Sequence, residues 1–315
     1  MSHPKVSVLV PCYNAEISIG ETLDSVFRQT WPNIEVVVVD DGSQDRSVDV
    51  VERFGGGRVR IIRQANAGAS AARNRAYQVS SGAFVQFLDA DDLIDPDKIE
   101  RQIKRLITHP RCVASAEWGR FHSSRDETRF DPEPIWRDLD PLDWLVLSRA
   151  DGHGMLFPAL WLVPRTIADA AGRWDETLSL GDDGEYFTRI LLAADSVLFC
   201  QGARCHYRSA VPDSLSSRKT PRAWVSQFRV TELCEAYLRS REDSERVRRG
   251  FALSWQHLAH GSYPYDPDLA ERALARARAL HPVVIQPSGG PAFAVVSRVV
   301  GWRAARRLQV ASGRP

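Results

Sequence analysis

The first hundred residues alternate between two kinds of segment, and this alternation limits the fold more than any other feature. "VSVLV" (6–10), "IEVVVVD" (34–40), "VRII" (59–62) and "FVQFL" (84–88) are short β-rich runs with little polar interruption. Such runs fit strands buried on both faces of a parallel sheet. Between them lie segments with helical spacing, at about 18–30, 44–54, 69–80 and 96–108. In "SVDVVERF", for example, Val48, Val51 and Phe54 recur every three residues. A strand–helix–strand series predicts a doubly wound, mostly parallel α/β sheet.

Ligands of such sheets bind outside the carboxyl ends of the strands. The polar motifs fall there: "PCYNAE" after the first run, "DDGSQD" after the second and "DADD" after the fourth. The third of these is the least expected. In "FVQFLDADDLIDPDKIE" (84–100) a buried-looking strand runs straight into Asp89, Asp91, Asp92, Asp95 and Asp97. Neighbouring carboxylates repel and resist desolvation. Asp95 precedes Pro96, a favourable first helical residue, so Asp95 is expected to cap the following helix and Asp97 to favour its positive end. Asp89, Asp91 and Asp92 have no such explanation. Hard oxygen ligands at a strand end suit Mg²⁺ or Mn²⁺ together with substrate phosphates; the alternative is an acidic loop in water.

In "VVVVDDGSQD" Gly42 allows a turn and Ser43 is placed to cap the next helix. Asp40, at the strand edge, is an acceptor-only group suited to a ligand N–H or a ribose hydroxyl. "NAGASAARNRA" (66–76) has neither GxGxxG nor GxxxxGK[ST] spacing. Arg73 lies one turn beyond Ala69 on a side of small residues, which suits a diphosphate or a helix ion pair; Arg75 reads as a solvated helix charge.

Beyond residue 110 the pattern loosens. "CVASAEW" reads as a strand, and the Pro-, Trp- and Asp-rich stretch after it as a long functional loop. "MLFPALWLVP" (155–164) reads as an apolar strand, 181–193 as a helix and 196–208 as a strand. Helices are expected at 221–241, 244–260, 267–280 and 291–310. A net charge of +1 gives no global field for nucleic acid. The five cysteines form no close CxxC pair, so reduced thiols are the simplest reading. The start of the chain lacks the features of a signal peptide, and no window of about 18 uncharged apolar residues exists, so a cytoplasmic location is expected.

In their order along the chain, "VSVLVPCYNAE", "VVVVDDGSQD", "NAGASAARNRA" and "FLDADD" resemble the family 2 glycosyltransferases, inverting enzymes with a nucleotide-sugar-binding GT-A fold. The resemblance covers residues 5–110, weakens over 111–170 and returns at "GRWDETLSLGDDGEYFTRI" (172–190). It implies a catalytic domain over 1–218, with a nucleotide-sugar half (1–110) and an acceptor half (111–218), followed by a helical region (219–315). By position, Pro11, Tyr13 and Asp40 would hold the nucleoside and Arg73 would approach the diphosphate. Asp89 and Asp91 would be the family's DXD pair, contacting ribose and a Mg²⁺ or Mn²⁺ ion. Asp183, in "GDDGEYF", would be the general base. The partners implied are a nucleoside-diphosphate sugar and a saccharide, lipid-linked or protein acceptor. The sequence departs from the family at Asp182, where Glu is usual, and at Gly184, where an aromatic residue is common. "CHYRSAVPDS" puts His206 before Tyr207–Arg208, which makes a core histidine the simpler reading. Two other classes remain: a silent sugar-nucleotide-binding protein and a metal-dependent nucleotidyltransferase.

Five of nine tryptophans fall in 118–174, and an acceptor-stacking role is expected near Trp136 and Trp144. After Glu271 there is no acidic residue and no lysine, but eight arginines. In "PAFAVVSRVVGWRAARRLQV" Phe293, Val296, Val300 and Leu308 could share one face. Such a helix either lies on an anionic membrane surface or packs on protein, its arginines paired with acids such as Glu232 and Glu235.

Overall fold

The computed structural model describes residues 3–150, 155–209, 220–287 and 289–311. Each apolar run of the first hundred residues is a strand, and each intervening segment a helix. The order is β1 (Val6–Cys12), α1 (Ile19–Phe27), β2 (Ile34–Asp40), α2 (Ser47–Gly55), β3 (Val59–Arg63), α3 (Ala69–Val79) and β4 (Phe84–Phe87). Then come β5 (Leu93–Ile94), α4 (Lys98–Leu106), β6 (Cys112–Phe121), α5 (Pro141–Ser148), β7 (Val163–Pro164), α6 (Arg165–Ala171), α7 (Asp182–Leu192) and β8 (Ser196–Arg208). Five helices follow: α8 (Pro221–Arg241), α9 (Glu245–Ser262), α10 (Pro267–Leu280), α11 (Gly290–Val300) and α12 (Trp302–Ala311). The chain divides into two compact units, residues 1–147 with 155–217, and 148–154 with 218–315.

In the first unit the main sheet has the order β3-β2-β1-β4-β7. The first four strands are parallel and β7 is antiparallel to β4. The chain winds outward from β1 to β3, then returns to place β4 on the other side of β1. The crevice between β1 and β4 is therefore the topological switch point, where α/β sheets bind ligands. Register sets what meets there. Cys12 pairs with Asp40 across β1 and β2, and the Leu88 amide donates to Leu9 O at 3.0 Å. The turn after β4 thus opens beside Pro11. Val8, Leu9, Val10 and Val37 to Val39 are 0–1% exposed, and each such burial stabilises the sheet by roughly 1.5–3 kcal/mol.

A second sheet, β5-β8-β6, backs onto α4. Between the sheets sits Lys98, fully buried. Its ammonium donates to Gln86 Oε1 at 2.6 Å and Gln102 Oε1 at 2.8 Å. The two amides donate in turn to the carbonyls of Pro158, Ala114 and Leu160, at 3.1–3.2 Å. This network joins β4, α4 and β6, and burial pushes the ammonium down to about 8.

The structure departs from the sequence expectation at three places. The run 155–164 is not a strand: residues 158–160 form a 3₁₀ turn, and only Val163–Pro164 pair, with Phe84–Val85. Pro158 has no amide to give a ladder; the run is apolar because its side chains fill the core. The stretch read as a long loop contains α5, whose Trp144 is 1% exposed and packs edge-on against Trp161, so Trp144 is core and unavailable to a sugar. Trp136 is half-buried and stacked on Phe199. The segment 291–310 is two helices, broken at Gly301 with φ +77°, a conformation glycine adopts freely.

In the second unit Thr220 and Asp266 cap α8 and α10, accepting from the amides of Ala223 and Leu269. Trp255 is buried between them and donates to Glu235 Oε2 at 2.7 Å. Trp302 of α12 packs against His260 and Tyr263 of the α9 end, with centroids 4.8 and 5.1 Å apart.

Candidate active site

Four loops converge on the switch point, and short polar side chains fix each of them. The turn after β1 and the turn after β2 are laced together. The amides of Asn14, Ala15 and Glu16 donate to Ser43 Oγ, Ser47 Oγ and Asp45 Oδ2 at 2.7–3.0 Å. In return the amides of Gln44 and Arg46 donate to Asn14 Oδ1 and Glu16 Oε2 at 2.8 and 3.0 Å. Asn14 adopts φ +48° to make its part of the exchange, a region Asn tolerates. Ser43 therefore does not cap α2, which starts only at Ser47; it ties one turn to the other. Pro11 is half-buried and Tyr13 exposed beside these turns. Asp40 is 5% exposed and accepts from the Ser43 amide. Its neighbour Asp41 is wholly structural: its carboxylate accepts from Gln64 and from the amides of Ala67 and Gly68, at 2.7–2.9 Å, and thereby sets the loop that begins α3.

Arg73, in the second turn of α3, is 5% exposed. Its two terminal nitrogens are both engaged, one by Asp89 at 2.7 Å and one by Asp182 at 2.8 Å. Ser70 Oγ donates to the same Asp182 oxygen at 2.7 Å. The guanidinium lies 4.4 Å over the Trp174 ring, which is stacked on Tyr186. Burial opposes the Arg73 charge, but Asp89 and Asp182 outweigh it and hold its pKa above the ordinary arginine value. One N–H on each of these two nitrogens is thus committed to a carboxylate. Asn74 carries no signal in the sequence; its amide donates to the Trp174 carbonyl at 3.0 Å and its oxygen accepts the Trp174 amide at 2.9 Å. It fastens α3 to the chain leading into α7.

After β4, Asp89 faces Arg73 while Asp91 and Asp92 turn towards β8. Asp92 is 1% exposed; one oxygen accepts from the Arg208 amide at 3.0 Å and the other is buried without a hydrogen-bond partner. Burial first, and the Asp89 charge next, push Asp91 up to about 6; burial with Asp91 and Asp89 raises Asp92 well above the ordinary range. A turn with one orphaned carboxylate oxygen and three crowded carboxyls fits a divalent cation, which relieves the repulsion and needs hard oxygen donors. Among the described residues no three His, Cys, Asp or Glu side chains are grouped so as to hold a metal ion.

The expected cap of α4 is not found. Asp95 instead accepts from His206 Nε2 at 3.0 Å and Arg125 at 2.8 Å, and Asp97 stands at the cap position without a side-chain cap bond. His206 is 4% exposed, held between Asp95 and Thr128. Helix α7 begins at Asp182 after Gly181. Glu185 is buried and bidentate to Arg189 at 2.7 Å, and Asp182 is tied to Ser70 and Arg73. Asp183 is the carboxylate of this turn without a cation partner among the described ion pairs; it accepts from the Gly184 amide at 2.7 Å. Burial, then the Asp182 charge, push it up to about 7, against the pull of Arg73. A carboxyl poised there suits proton transfer at neutral pH.

The profile of Glycosyl transferase family 2 matches residues 7–168. Glycosyltransferase GlyA of Streptococcus pneumoniae is 40% identical over 84% of this chain and 36% of its own length. Putative glycosyltransferase EpsH of Bacillus subtilis is 41% identical over 79% of this chain and 73% of its own. The chain thus spans about a third of the first relative and most of the second. The UDP-Glc:alpha-D-GlcNAc-diphosphoundecaprenol beta-1,3-glucosyltransferase WfgD of Escherichia coli is 40% identical over 32% of this chain and 41% of its own length. Among solved structures, residues 1–349 of S. aureus TarS with UDP superpose with a TM-score of 0.64 at 19% identity, over 98% of this chain and 92% of that one. The mannosyltransferase PcManGT of Pyrobaculum calidifontis, with GDP-Man and Mn²⁺, gives 0.56 at 19% identity, over 98% and 87%. The fold is therefore GT-A, as the order of motifs implied.

Proposed function

Since the chain belongs to glycosyl transferase family 2, we propose that it moves a sugar from a nucleoside-diphosphate sugar to an acceptor hydroxyl, with inversion. The observation that carries this is the pairing of two carboxylate groups across one guanidinium. Asp89 and Asp91 stand at the end of β4, Asp182 and Asp183 at the start of α7, and Arg73 joins Asp89 to Asp182.

Pro11, Tyr13 and Asp40 hold the nucleoside, the carboxylate of Asp40 accepting from the base or ribose. Asp89 takes the ribose side of the turn and Asp91 would hold Mg²⁺ or Mn²⁺ with the donor's phosphates. Once bound, such an ion supplies positive charge against the departing diphosphate. Arg73 adds a second fixed charge of the same sign in a low-dielectric setting. Asp183 accepts the proton of the acceptor hydroxyl as that oxygen attacks the anomeric carbon. The bond to the nucleotide oxygen breaks on the opposite side, the configuration inverts, and no covalent enzyme intermediate forms. The acceptor is a saccharide, a lipid-linked sugar or a protein; the similarity to WfgD, a diphosphoundecaprenol-linked-acceptor glucosyltransferase by name, favours the lipid-linked one.

The test is a screen of nucleotide sugars with Mn²⁺, measuring nucleoside diphosphate release and, by NMR, the anomeric configuration of product. Release of pyrophosphate would make the chain a nucleotidyltransferase, and no turnover with tight donor binding a silent binder. Asp91→Asn or excess EDTA should abolish release without unfolding the protein; full activity in EDTA would remove the metal from the scheme.

A further inference from the structure

We propose that the last two helices, together with the end of α10, form a docking surface for a membrane bearing anionic lipid headgroups. The charge distribution comes first. Residues 272–315 contain eight arginines, no lysine and no acid; against a net charge of +1 this leaves the preceding residues at 1 − 8 = −7. Nearly all the excess positive charge therefore sits in the last stretch of the chain.

The helices then add an apolar face. Helix α12 is anchored by Trp302 and by Ala305, which is 3% exposed. Helix α11 is held to α12 by Phe293, 6% exposed beneath Arg306. With Phe293 turned inward, Val295, Val296, Val299 and Val300 face out at 61, 38, 81 and 49% exposure. They are spaced i, i+1, i+4, i+5, one contiguous stripe on a helix. Leu308 of α12 is also exposed, at 59%. A row of β-branched residues left in water on one helix, with nothing charged between them but Arg298, needs a partner.

Two observations choose the partner. No described helix is long and apolar enough to cross a bilayer, so the surface lies on a membrane and does not span it. Among the described residues Arg278, Arg298 and Arg307 face solvent without a carboxylate partner, while Arg276 and Arg303 pair with Glu232 and Glu271. A second copy docking on the same face by two-fold symmetry would set these arginines against their own equivalents. A bilayer surface offers both halves of the match, phosphate oxygens for guanidinium groups and an acyl boundary for valines. The inference stands on the helical unit's own surface and is independent of the transfer reaction.

The experiment is co-sedimentation of the full chain with phosphatidylcholine vesicles, with and without phosphatidylglycerol. Binding should need the anionic lipid and be released by salt. Val295→Asp with Val299→Asp should weaken it at least tenfold, and Arg278→Gln with Arg298→Gln and Arg307→Gln should erase the lipid preference. All five positions are exposed, so the thermal midpoint and nucleoside diphosphate release from soluble substrates should stay unchanged. Equal binding to both vesicles, no binding, or a valine-dependent dimer in sedimentation velocity would each overturn the proposal, and the last would make the face a contact between copies.

Discussion

Replacing Asp183 with Asn separates what the site does for catalysis from what it costs the fold. The side chain keeps its shape and its oxygen still accepts from the Gly184 amide. The carboxyl is held at about 7 in the folded chain against 3.8 when unfolded, chiefly because burial and Asp182 disfavour its charge. A raised acid favours folding while it is protonated and disfavours it once ionised. Stability is thus lost as pH rises from about 4 to about 7, and stays lost above. At 1.36 kcal/mol per decade the full cost is about 4 kcal/mol; Asp183 is only part-buried by solvent exposure, which brings the expectation to about 2–3 kcal/mol. Asp183→Asn should therefore stabilise the protein by that amount at pH 8 and by about a third of it at pH 5, read as urea midpoints. Transfer should fall by roughly two to four orders of magnitude, with donor binding intact. In the wild type the rate should drop about tenfold per pH unit below 7. A variant less stable than wild type at pH 8, or one with near-normal transfer, would refute the assignment of both strain and base to Asp183.

Arg73→Lys should destabilise the first unit by about 2 kcal/mol, measured by thermal or urea unfolding, because one ammonium cannot span Asp89 and Asp182 and leaves one part-buried carboxylate without its charge-assisted bond; a loss under about 0.5 kcal/mol would show that the two bonds are not coupled to folding. For Lys98 the folded value of about 8 lies below the ordinary 10.5, so its buried charge opposes folding below pH 8 and that opposition fades as pH rises to 10.5. The stability of the wild type relative to Lys98→Met should accordingly rise by about 3 kcal/mol over this interval; a flat difference would mean the lysine stays charged in the core.

Much of this architecture could be read from the chain because strands buried on both faces leave unbroken apolar runs, and because the loops at their carboxyl ends cannot be apolar. The errors share a different cause. Asp95 looked like a cap from its neighbour Pro96, yet its partner His206 is 111 residues away, and a tertiary bond overrode the local one. Ser43 leaves its helix uncapped for the same reason, its partner Asn14 lying in another loop. The run 155–164 is apolar without being extended, since burial alone selects composition and Pro158 decides the backbone. Arg73 was recognisable as important from its small neighbours, but nothing local indicated that both ends of its fork were already occupied. Asn74 stood inside a quoted motif and gave no signal, because its role is to hold a backbone segment 100 positions on.

The lacing of the β1 and β2 turns has a consequence for how this protein can be altered. Three amides of the first turn rely on side chains of the second, and two of the second on side chains of the first. Either turn transplanted alone would strand these amides and import acceptors with nothing to bind. The two turns act as one mechanical part, although 29 positions of sequence separate Asn14 from Ser43. Chimeras with relatives should fold when Asn14 to Glu16 travel with Ser43 to Ser47, and lose stability when either segment travels by itself.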